Sequence, residues 1–313
     1  MGILSCFAKN LLGLNNSPKK INQGCAVLLY HRIFNPSIDA QLLSVTPENF
    51  EQQLIFLKEN YEVISYQTLI HRLVEKNLCD RSICLTFDDG YVDNLTEALP
   101  LLEKYNMPAT IFVCTGNIGK SNEFWWDMLE NIFLAQNEKY LNWNALSPAL
   151  DPIIVRYQNL QESFKSLNQE DRTILLSNLG KLCPPRENYR TMNLQELSEL
   201  NSSELINLGA HTENHYSLGR IDQETSAQEI IASTQKIREI TSSRHISFSY
   251  PFGGELDCRD DLDHVFKSEN IDAVFLNQHG ICNNNTDLKR IPRVLIRDLP
   301  SAVFGEFVNN LWN

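Results

Sequence analysis

Short apolar runs alternate with segments of helical periodicity along most of this 313-residue chain. Helical spacing is clearest at Phe50, Leu54 and Leu57, and the proline at position 47 suits the first turn of that helix. Because parallel neighbours in a sheet need a long crossover connection, this alternation predicts an α/β architecture with a parallel sheet. The predicted strands are residues 26–30, 82–87, 109–113, 205–210, 245–250, 273–276 and 293–296.

The alternation breaks between about residues 123 and 195, a stretch that holds three tryptophans and long polar runs. We expect residues 1–24 to form an N-terminal extension and residues 25–313 to form a single domain. A mostly helical insertion at about 123–195 would interrupt that domain. The hydrophobic share of 42% is ample for one large core.

The formal net charge of −12 argues against binding of nucleic acid through phosphate contacts, and against strong attraction to anionic membranes. No segment approaches the length that spans a bilayer. Ile3, Leu4 and Phe7 begin a short amphipathic stretch, for which we expect a docked or frayed terminus. A weak contact with a membrane surface is the alternative.

The compartment is predicted from the cysteines and from the start of the chain. The eight cysteines are scattered and form no CxxC pair, a pattern typical of reduced thiols in a cytosolic protein. Residues 1–20 lack a basic leader followed by a long apolar stretch and a small-residue cleavage site. We therefore expect a cytoplasmic protein.

Polar residues recur where the predicted strands end. His31, Asp88, His211 and Asn277 each follow directly after a strand, and Pro251 follows another. In parallel barrels the active site is built from several strand ends at the carboxyl face of the sheet. The placement of these residues therefore predicts a functional site at that face.

Two motifs among these strand ends carry candidate chemistry. Asp88 and Asp89 end a buried strand, and His211 and His215 share one face if their segment is helical. One carboxylate with two imidazoles is a common ligand set for a divalent metal, which leaves the second carboxylate free to act as a base. The alternatives are an Asp-Gly turn and a pair of histidines satisfied by other contacts.

Three motifs resemble those of the polysaccharide deacetylase family, the NodB-homology domain of carbohydrate esterase family 4. They are residues 86–90 (TFDDG), 211–215 (HTENH) and 249–253 (SYPFG), and residues 29–32 and 107–112 extend the similarity. The resemblance covers about residues 25–297, and the motifs occur in the order expected for the family. It implies a distorted (β/α) barrel of about seven parallel strands, the deacetylase fold of that family.

The resemblance also implies a role for each matching residue. Asp89, His211 and His215 would bind one divalent metal ion, zinc or another. Asp88 would be the base that takes a proton from water, since a metal lowers the pKa of bound water from ~15.7 toward ~7. The backbone N–H of Phe252 would stabilise the oxyanion.

The chain departs from the family pattern at two points. Many members carry an arginine where this chain has Ser249, and Arg293 is the candidate for the missing cation beside the base. The late motif that usually provides the general acid is not visible after residue 265. His31 and His279 are both candidates for that role, and a structural or substrate-contacting role is the alternative for either.

The implied function is a metal-dependent hydrolase that removes an N-acyl group, most often acetyl, from an amino sugar. The carbohydrate substrate would be a polymer or a small or lipid-linked intermediate of glycan biosynthesis. A catalytically inactive carbohydrate-binding protein and a deacylase of esters or non-sugar amides are the alternatives. Trp125 and Trp126 resemble a segment of one branch of the family, and we expect buried packing rather than stacking on sugar rings.

Overall fold

The computed structural model describes residues 23–78, 81–140, 151–179 and 183–312. Almost all of the predicted N-terminal extension 1–24 lies outside the described residues, as does Trp143. The strands are β1 (Cys25–Tyr30), β2 (Arg32–Ile33), β3 (Ser44–Val45), β4 (Glu62–Ile64), β5 (Ser82–Phe87), β6 (Ala109–Val113), β7 (Ile206–Ala210), β8 (Ile246–Ser249), β9 (Ile271–Phe275) and β10 (Val294–Leu295). The α-helices are α1 (Pro47–Asn60), α2 (Tyr66–Val74), α3 (Leu99–Tyr105), α4 (Trp125–Glu130), α5 (Pro152–Lys165), α6 (Gln169–Leu179), α7 (Leu194–Asn201), α8 (Gln223–Thr241), α9 (Asp263–Ser268) and α10 (Ser301–Asn310).

Seven strands lie side by side in the order β10-β1-β5-β6-β7-β8-β9, and every pairing between neighbours is parallel. The short strand β4 pairs with the first half of β5. The sheet curls into a half-barrel, while β2 and β3 form a separate two-stranded sheet. The prediction of a distorted (β/α) barrel with about seven parallel strands is confirmed.

The register of β1 against β5 places two candidate residues next to each other. The two strands pair along their whole length, with Tyr30 opposite Phe87 at their carboxyl ends. The backbone N–H of Asp88 then donates to the carbonyl of Tyr30 at 3.0 Å. His31 and Asp88 therefore leave the sheet side by side, although they are far apart in the sequence.

The two faces of the curled sheet are covered by different helices. The outer face packs against α1, α3, α7, α8, α9 and α10, and alternate strand residues such as Leu28 and Leu85 point into that layer. The other set of alternating strand residues points to the inner face, where it packs against Leu69 and Leu73 of α2. The half-barrel therefore has a filled interior rather than a pore, as is usual for parallel barrels of this size.

The described parts of residues 123–195 contain α4, α5 and α6, which share a hydrophobic cluster separate from the barrel layers. Trp125 and Trp126 are both buried in this cluster, together with Tyr157 and Phe164. The expectation of buried packing for the two tryptophans is therefore confirmed. None of the helices in the described ranges is both long and apolar enough to cross a bilayer.

The predicted elements differ from the observed ones in two respects. The segment that contains β4 and α2 carries no predicted element, although Ser65 caps α2 by accepting a hydrogen bond from the backbone N–H of Thr68 at 3.2 Å. Several strand ends also differ by one or two residues, because such boundaries are indistinct. The cysteines of the described residues are all free thiols.

Candidate active site

Loops that follow six strands meet at the carboxyl end of the half-barrel and line one cavity of about 430 Å³. The cavity is lined by His31 after β1, Asp88 after β5, His211 after β7, Phe252 after β8, Asn277 after β9 and Arg297 after β10. His31, Asp88, His211 and Asn277, the polar residues that follow predicted strands, therefore lie around one cavity. Its volume lies within the range of pockets for small ligands, about 300–1,000 Å³.

Asp89, His211 and His215 form a buried cluster whose potential ligand atoms all lie within 4.8 Å of one another. Asp89 Oδ1 is 3.5 Å from His211 Nε2 and 3.2 Å from His215 Nε2, and it has no hydrogen bond of good geometry. Burial opposes ionisation of Asp89, but its contacts with the two histidines outweigh burial and lower its pKa below the usual value. A carboxylate oxygen thus faces two imidazole nitrogens inside the protein.

The tautomer of His211 makes this cluster suitable for a cation. His211 Nδ1 lies 2.8 Å from the carbonyl oxygen of Ser249, a contact that needs the proton on Nδ1. In the neutral ring Nε2 then carries a lone pair that faces Asp89 Oδ1, itself only an acceptor. Orientation of a ligating histidine by a carbonyl is typical of metal sites. The donor set therefore fits a divalent metal ion.

The backbone at Asp89 explains the Asp-Asp-Gly sequence. Asp89 and Gly90 both have positive φ, +75° and +78°, so the chain turns sharply where β5 ends. Aspartate tolerates this left-handed conformation better than most side chains, and glycine tolerates it best. A Cβ at Gly90 would also lie 3.1 Å from Val113 Cγ1. The turn directs two adjacent carboxylates into one cleft.

The helical turn that would place His211 and His215 on one face is not formed. Thr212 and His215 have φ of +62° and +52°, so the segment is an irregular loop. The backbone N–H of His215 does not bond to a backbone carbonyl as in a helix. It donates instead to Thr212 Oγ1 at 3.0 Å. Side chains that bond to the local backbone in this way compete with helix formation.

Asp88 is held by a buried arginine rather than by the histidines. Arg293 Nη1 and Nη2 donate to Asp88 Oδ1 and Oδ2, both at 2.7 Å, and Arg293 Nη2 also donates to Ser249 Oγ at 2.7 Å. Burial would raise the pKa of Asp88, but the charge and hydrogen bonds of Arg293, together with the charge of His211, outweigh burial and lower it. Asp88 is therefore ionised at neutral pH, and Arg293 lies where the sequence analysis expected a cation.

Comparison with known proteins agrees with this geometry. A profile of the polysaccharide deacetylase family matches residues 75–139 and 167–274, together more than half of the chain. The chain belongs to the polysaccharide deacetylase family. Its members are hydrolases that act on amide C–N bonds.

Relatives and solved structures extend the comparison. YxkH of Bacillus subtilis, assigned to the polysaccharide deacetylases, is 35% identical over 99 residues, which are 30% of this chain and 33% of YxkH. The poly-beta-1,6-N-acetyl-D-glucosamine N-deacetylase of Staphylococcus aureus is 26% identical over 199 residues, 58% of this chain and 66% of that protein. The chain thus spans a third of the first relative and just under two thirds of the second.

Solved deacetylase structures share the fold. The Streptococcus pyogenes deacetylase PplD has a TM-score of 0.61 at 20% identity, covering 95% of this chain and 100% of that one. IcaB from Ammonifex degensii has a TM-score of 0.59 at 17% identity, covering 91% of this chain and 97% of its own. At these identities the similarity establishes the deacetylase fold alone.

The two histidines considered as general acid occupy different places. His31 lines the cleft, and burial lowers its pKa to about 4. His279 is exposed and is not among the residues that line the cleft. Phe252 also lines the cleft, and its backbone N–H makes no hydrogen bond to another described residue. The geometry therefore keeps His31 and Phe252 as site residues and gives no support to His279.

Three further residues line the cleft of this deacetylase-family chain. Trp126 and Lys165 come from α4 and α5 of the insertion, and Arg297 follows β10. Trp126 packs against the imidazole of His215 with ring centres 4.5 Å apart. Arg297 could have been found from its place after a strand, the signal that identified the other residues. Lys165 has no such signal, because it reaches the cleft only through the packing of the insertion.

Proposed function

We propose that this chain is a metal-dependent hydrolase that removes an N-acyl group, in the first place N-acetyl, from an amino sugar. The observation that supports this most strongly is the separation of Asp88 from Asp89. Arg293 holds Asp88 through both carboxylate oxygens, while Asp89 faces His211 and His215. Two adjacent carboxylates with different partners suit two different tasks.

In this proposal each residue of the site has a separate role. A divalent ion, zinc or another, held by Asp89 and the two histidines would lower the pKa of water and polarise the acyl carbonyl. Asp88 accepts a proton from the attacking water, because its ionised carboxylate keeps lone pairs beyond those that Arg293 occupies. The backbone N–H of Phe252 donates to the developing oxyanion. The proton that Asp88 has accepted is then delivered to the leaving amine, and His31, which lines the same cleft, is the residue that would relay it.

The relatives support an amino sugar as substrate, in a polysaccharide or in a glycan-biosynthesis intermediate. The Staphylococcus aureus relative is named for N-deacetylation of poly-beta-1,6-N-acetyl-D-glucosamine. The cavity has the size of a small-ligand pocket, and Trp126 provides an aromatic wall. We also propose a cytoplasmic site of action, which the free thiols of the described cysteines support. Cell fractionation with an antibody against the chain tests the location.

The test of activity is amine release from β-1,6-linked N-acetylglucosamine oligomers by purified protein supplied with Zn²⁺. We expect release by the wild type and none by Asp88→Asn, which lacks the base. Asp93→Asn is the matched control, because Asp93 is also buried and pairs with Arg32 at 2.9 Å but does not line the cleft. Binding of the oligomer without amine release would instead indicate an inactive carbohydrate-binding protein.

A further inference from the structure

The loop that joins the two histidines lies between two buried charged side chains from different parts of the fold. Glu229 of α8 accepts hydrogen bonds from the backbone N–H groups of Glu213 and Asn214, at 3.0 and 2.7 Å. It also accepts one from Asn214 Nδ2 at 2.7 Å. Arg172 of α6 donates to the carbonyl oxygens of Asn214 and His215, at 3.3 and 3.5 Å. We call residues 213–215 the ligand loop.

Neither charged group forms a salt bridge within the described part of the chain. Arg172 is 1% exposed and Glu229 is 4% exposed. The guanidinium of Arg172 lies 4.8 Å from the ring centre of Tyr216. A buried charge without an ionic partner is costly unless hydrogen bonds compensate it. The N–H groups of the ligand loop supply such bonds to Glu229, and its carbonyls supply two of those to Arg172. Arg172 also donates to the carbonyls of Phe164 and Lys165 at the end of α5, at 3.0 and 3.3 Å.

His215 depends on this backbone anchoring more than His211 does. His211 Nδ1 is oriented by the carbonyl of Ser249 at 2.8 Å, whereas His215 Nδ1 is buried and has no hydrogen-bond partner in the described part of the chain. Apart from the approach of its Nε2 to Asp89 at 3.2 Å, the imidazole of His215 packs against other rings, among them Trp126 at 4.5 Å and Phe252 at 4.8 Å. Its direction toward Asp89 is therefore set largely by its backbone.

That backbone is itself strained. His215 has φ of +52° and Thr212 has φ of +62°, a region that L-residues other than glycine, asparagine and aspartate rarely occupy. Such a conformation is strained and persists only where surrounding contacts impose it. The hydrogen bonds that Glu229 accepts and Arg172 donates are contacts of this kind.

We propose that Arg172 and Glu229 are positioning residues that fix His215 as a metal ligand, so that the helical insertion forms part of the metal site. This inference rests on the metal site of the proposed function. Arg172 belongs to the insertion and Glu229 to the barrel, so the ligand loop joins the two. Docking of the insertion is then required for full metal affinity, beyond any effect on the substrate cleft.

The test measures the affinity of the full-length chain for Zn²⁺ by competition with a chromophoric chelator. We expect Arg172→Met and Glu229→Leu to bind Zn²⁺ about 10- to 100-fold more weakly than the wild type, the usual loss for residues that orient a metal ligand. Arg172→Lys keeps a positive charge and Glu229→Gln keeps one acceptor oxygen, so both should lose less. Co²⁺ in place of Zn²⁺ adds a visible spectrum that reports the ligand geometry, which general destabilisation would not change.

Arg186→Met is the matched control. Arg186 is another arginine that secures the insertion, through ion pairs with Glu123 and Glu130 at 2.8 and 3.0 Å, but it does not contact the ligand loop. Its loss should lower thermal stability, but the folded variant should keep its Zn²⁺ affinity, because Arg172 and Glu229 still hold the ligand loop. Thermal unfolding of each metal-free variant shows which proteins are folded. If Arg172→Met does not fold, the Zn²⁺ affinities of Arg172→Lys and Glu229→Gln decide the test.

The outcomes separate this inference from the function on which it rests. Wild type that binds Zn²⁺ tightly, with weaker binding and an altered Co²⁺ spectrum in the folded Arg172 and Glu229 variants, supports both. Equal affinity and equal spectra in wild type and these variants overturn the positioning role and leave the proposed hydrolase intact. Wild type that binds no Zn²⁺ overturns the metal site and the inference together.

Discussion

Replacement of Arg293 by methionine tests the bracing of the proposed base. The guanidinium forms two charge-assisted hydrogen bonds of 2.7 Å with Asp88, and both side chains are buried. Each hydrogen bond to a charged group contributes about 1.5–3 kcal/mol. Loss of one partner from a buried ion pair costs about 3–5 kcal/mol, because the other charge stays buried without compensation. We therefore expect Arg293→Met to lower the free energy of unfolding at neutral pH by about 3–5 kcal/mol.

The effect should depend on pH. In the wild type the folded pKa of Asp88 is lowered, so its stabilising contribution is present above the unfolded pKa and is lost as pH falls through the folded pKa. Without Arg293, the charge that most opposes the effect of burial is lost, so the folded pKa of Asp88 should rise. The penalty of Arg293→Met is then absent in strong acid, begins as pH rises through the lowered folded pKa of the wild type and is complete above the folded pKa of the variant. The acidic limb of the pH–activity profile should move to higher pH, because Asp88 is then protonated over a wider pH range.

Urea denaturation of the wild type, Arg293→Met, Asp88→Asn and the double variant measures this coupling. The double variant should lose less stability than the sum of the single variants, since it contains no unpaired carboxylate. Arg190→Met is the matched control: Arg190 also forms two hydrogen bonds of 2.7 Å with one carboxylate, that of Glu196, but the pair is partly exposed. Its loss should cost no more than about 1 kcal/mol. Additive losses, or an Arg293→Met penalty as small as that of the control, would refute the reasoning.

Three further outcomes follow from the same structure. Asp88→Asn should keep the metal but lose turnover, and loss of metal in this variant, seen by elemental analysis, would refute the division of labour between the two aspartates. His211→Ala and His215→Ala should each lose metal and activity together, and normal metal affinity in either would disprove its assignment as a ligand. Gly209→Ala should lower the free energy of unfolding by about 1–3 kcal/mol, because the new Cβ would lie 2.5 Å from Phe112 Cδ1; urea denaturation with no loss would show that Phe112 can move aside.

The parallel strands and the location of the site were predictable because they depend on local patterns. Alternation of apolar runs with helical spacing predicts parallel strands, and polar residues after those strands predict the carboxyl face. The helix α2 was missed although Leu69 and Leu73 have helical spacing and Ser65 is a capping residue. It packs on the inner face of the half-barrel. The sequence of a nine-residue helix does not show on which face of a curled sheet the helix will pack.

The identity of the candidate ligands was predictable, but their geometry was not. His211 and His215 come together through a loop with two residues of positive φ, and their spacing does not distinguish this loop from a helical turn. Hydrogen bonds that Glu229 accepts and Arg172 donates stabilise that loop, and these residues lie on helices 15 and 42 positions from Asn214. Such contacts depend on how the insertion packs on the barrel, so the sequence of the motif contains no sign of them.

The central claim is that Asp89, His211 and His215 hold a divalent ion on which hydrolysis depends. Its most direct test is the metal content of purified wild type and His211→Ala by elemental analysis, with amine release from N-acetylated amino sugars measured on the same samples. We predict a single divalent ion per chain in the wild type, its loss in His211→Ala, and amine release that follows the metal content. Wild type that contains no metal after reconstitution, or that releases amine equally well after chelation, would contradict the account.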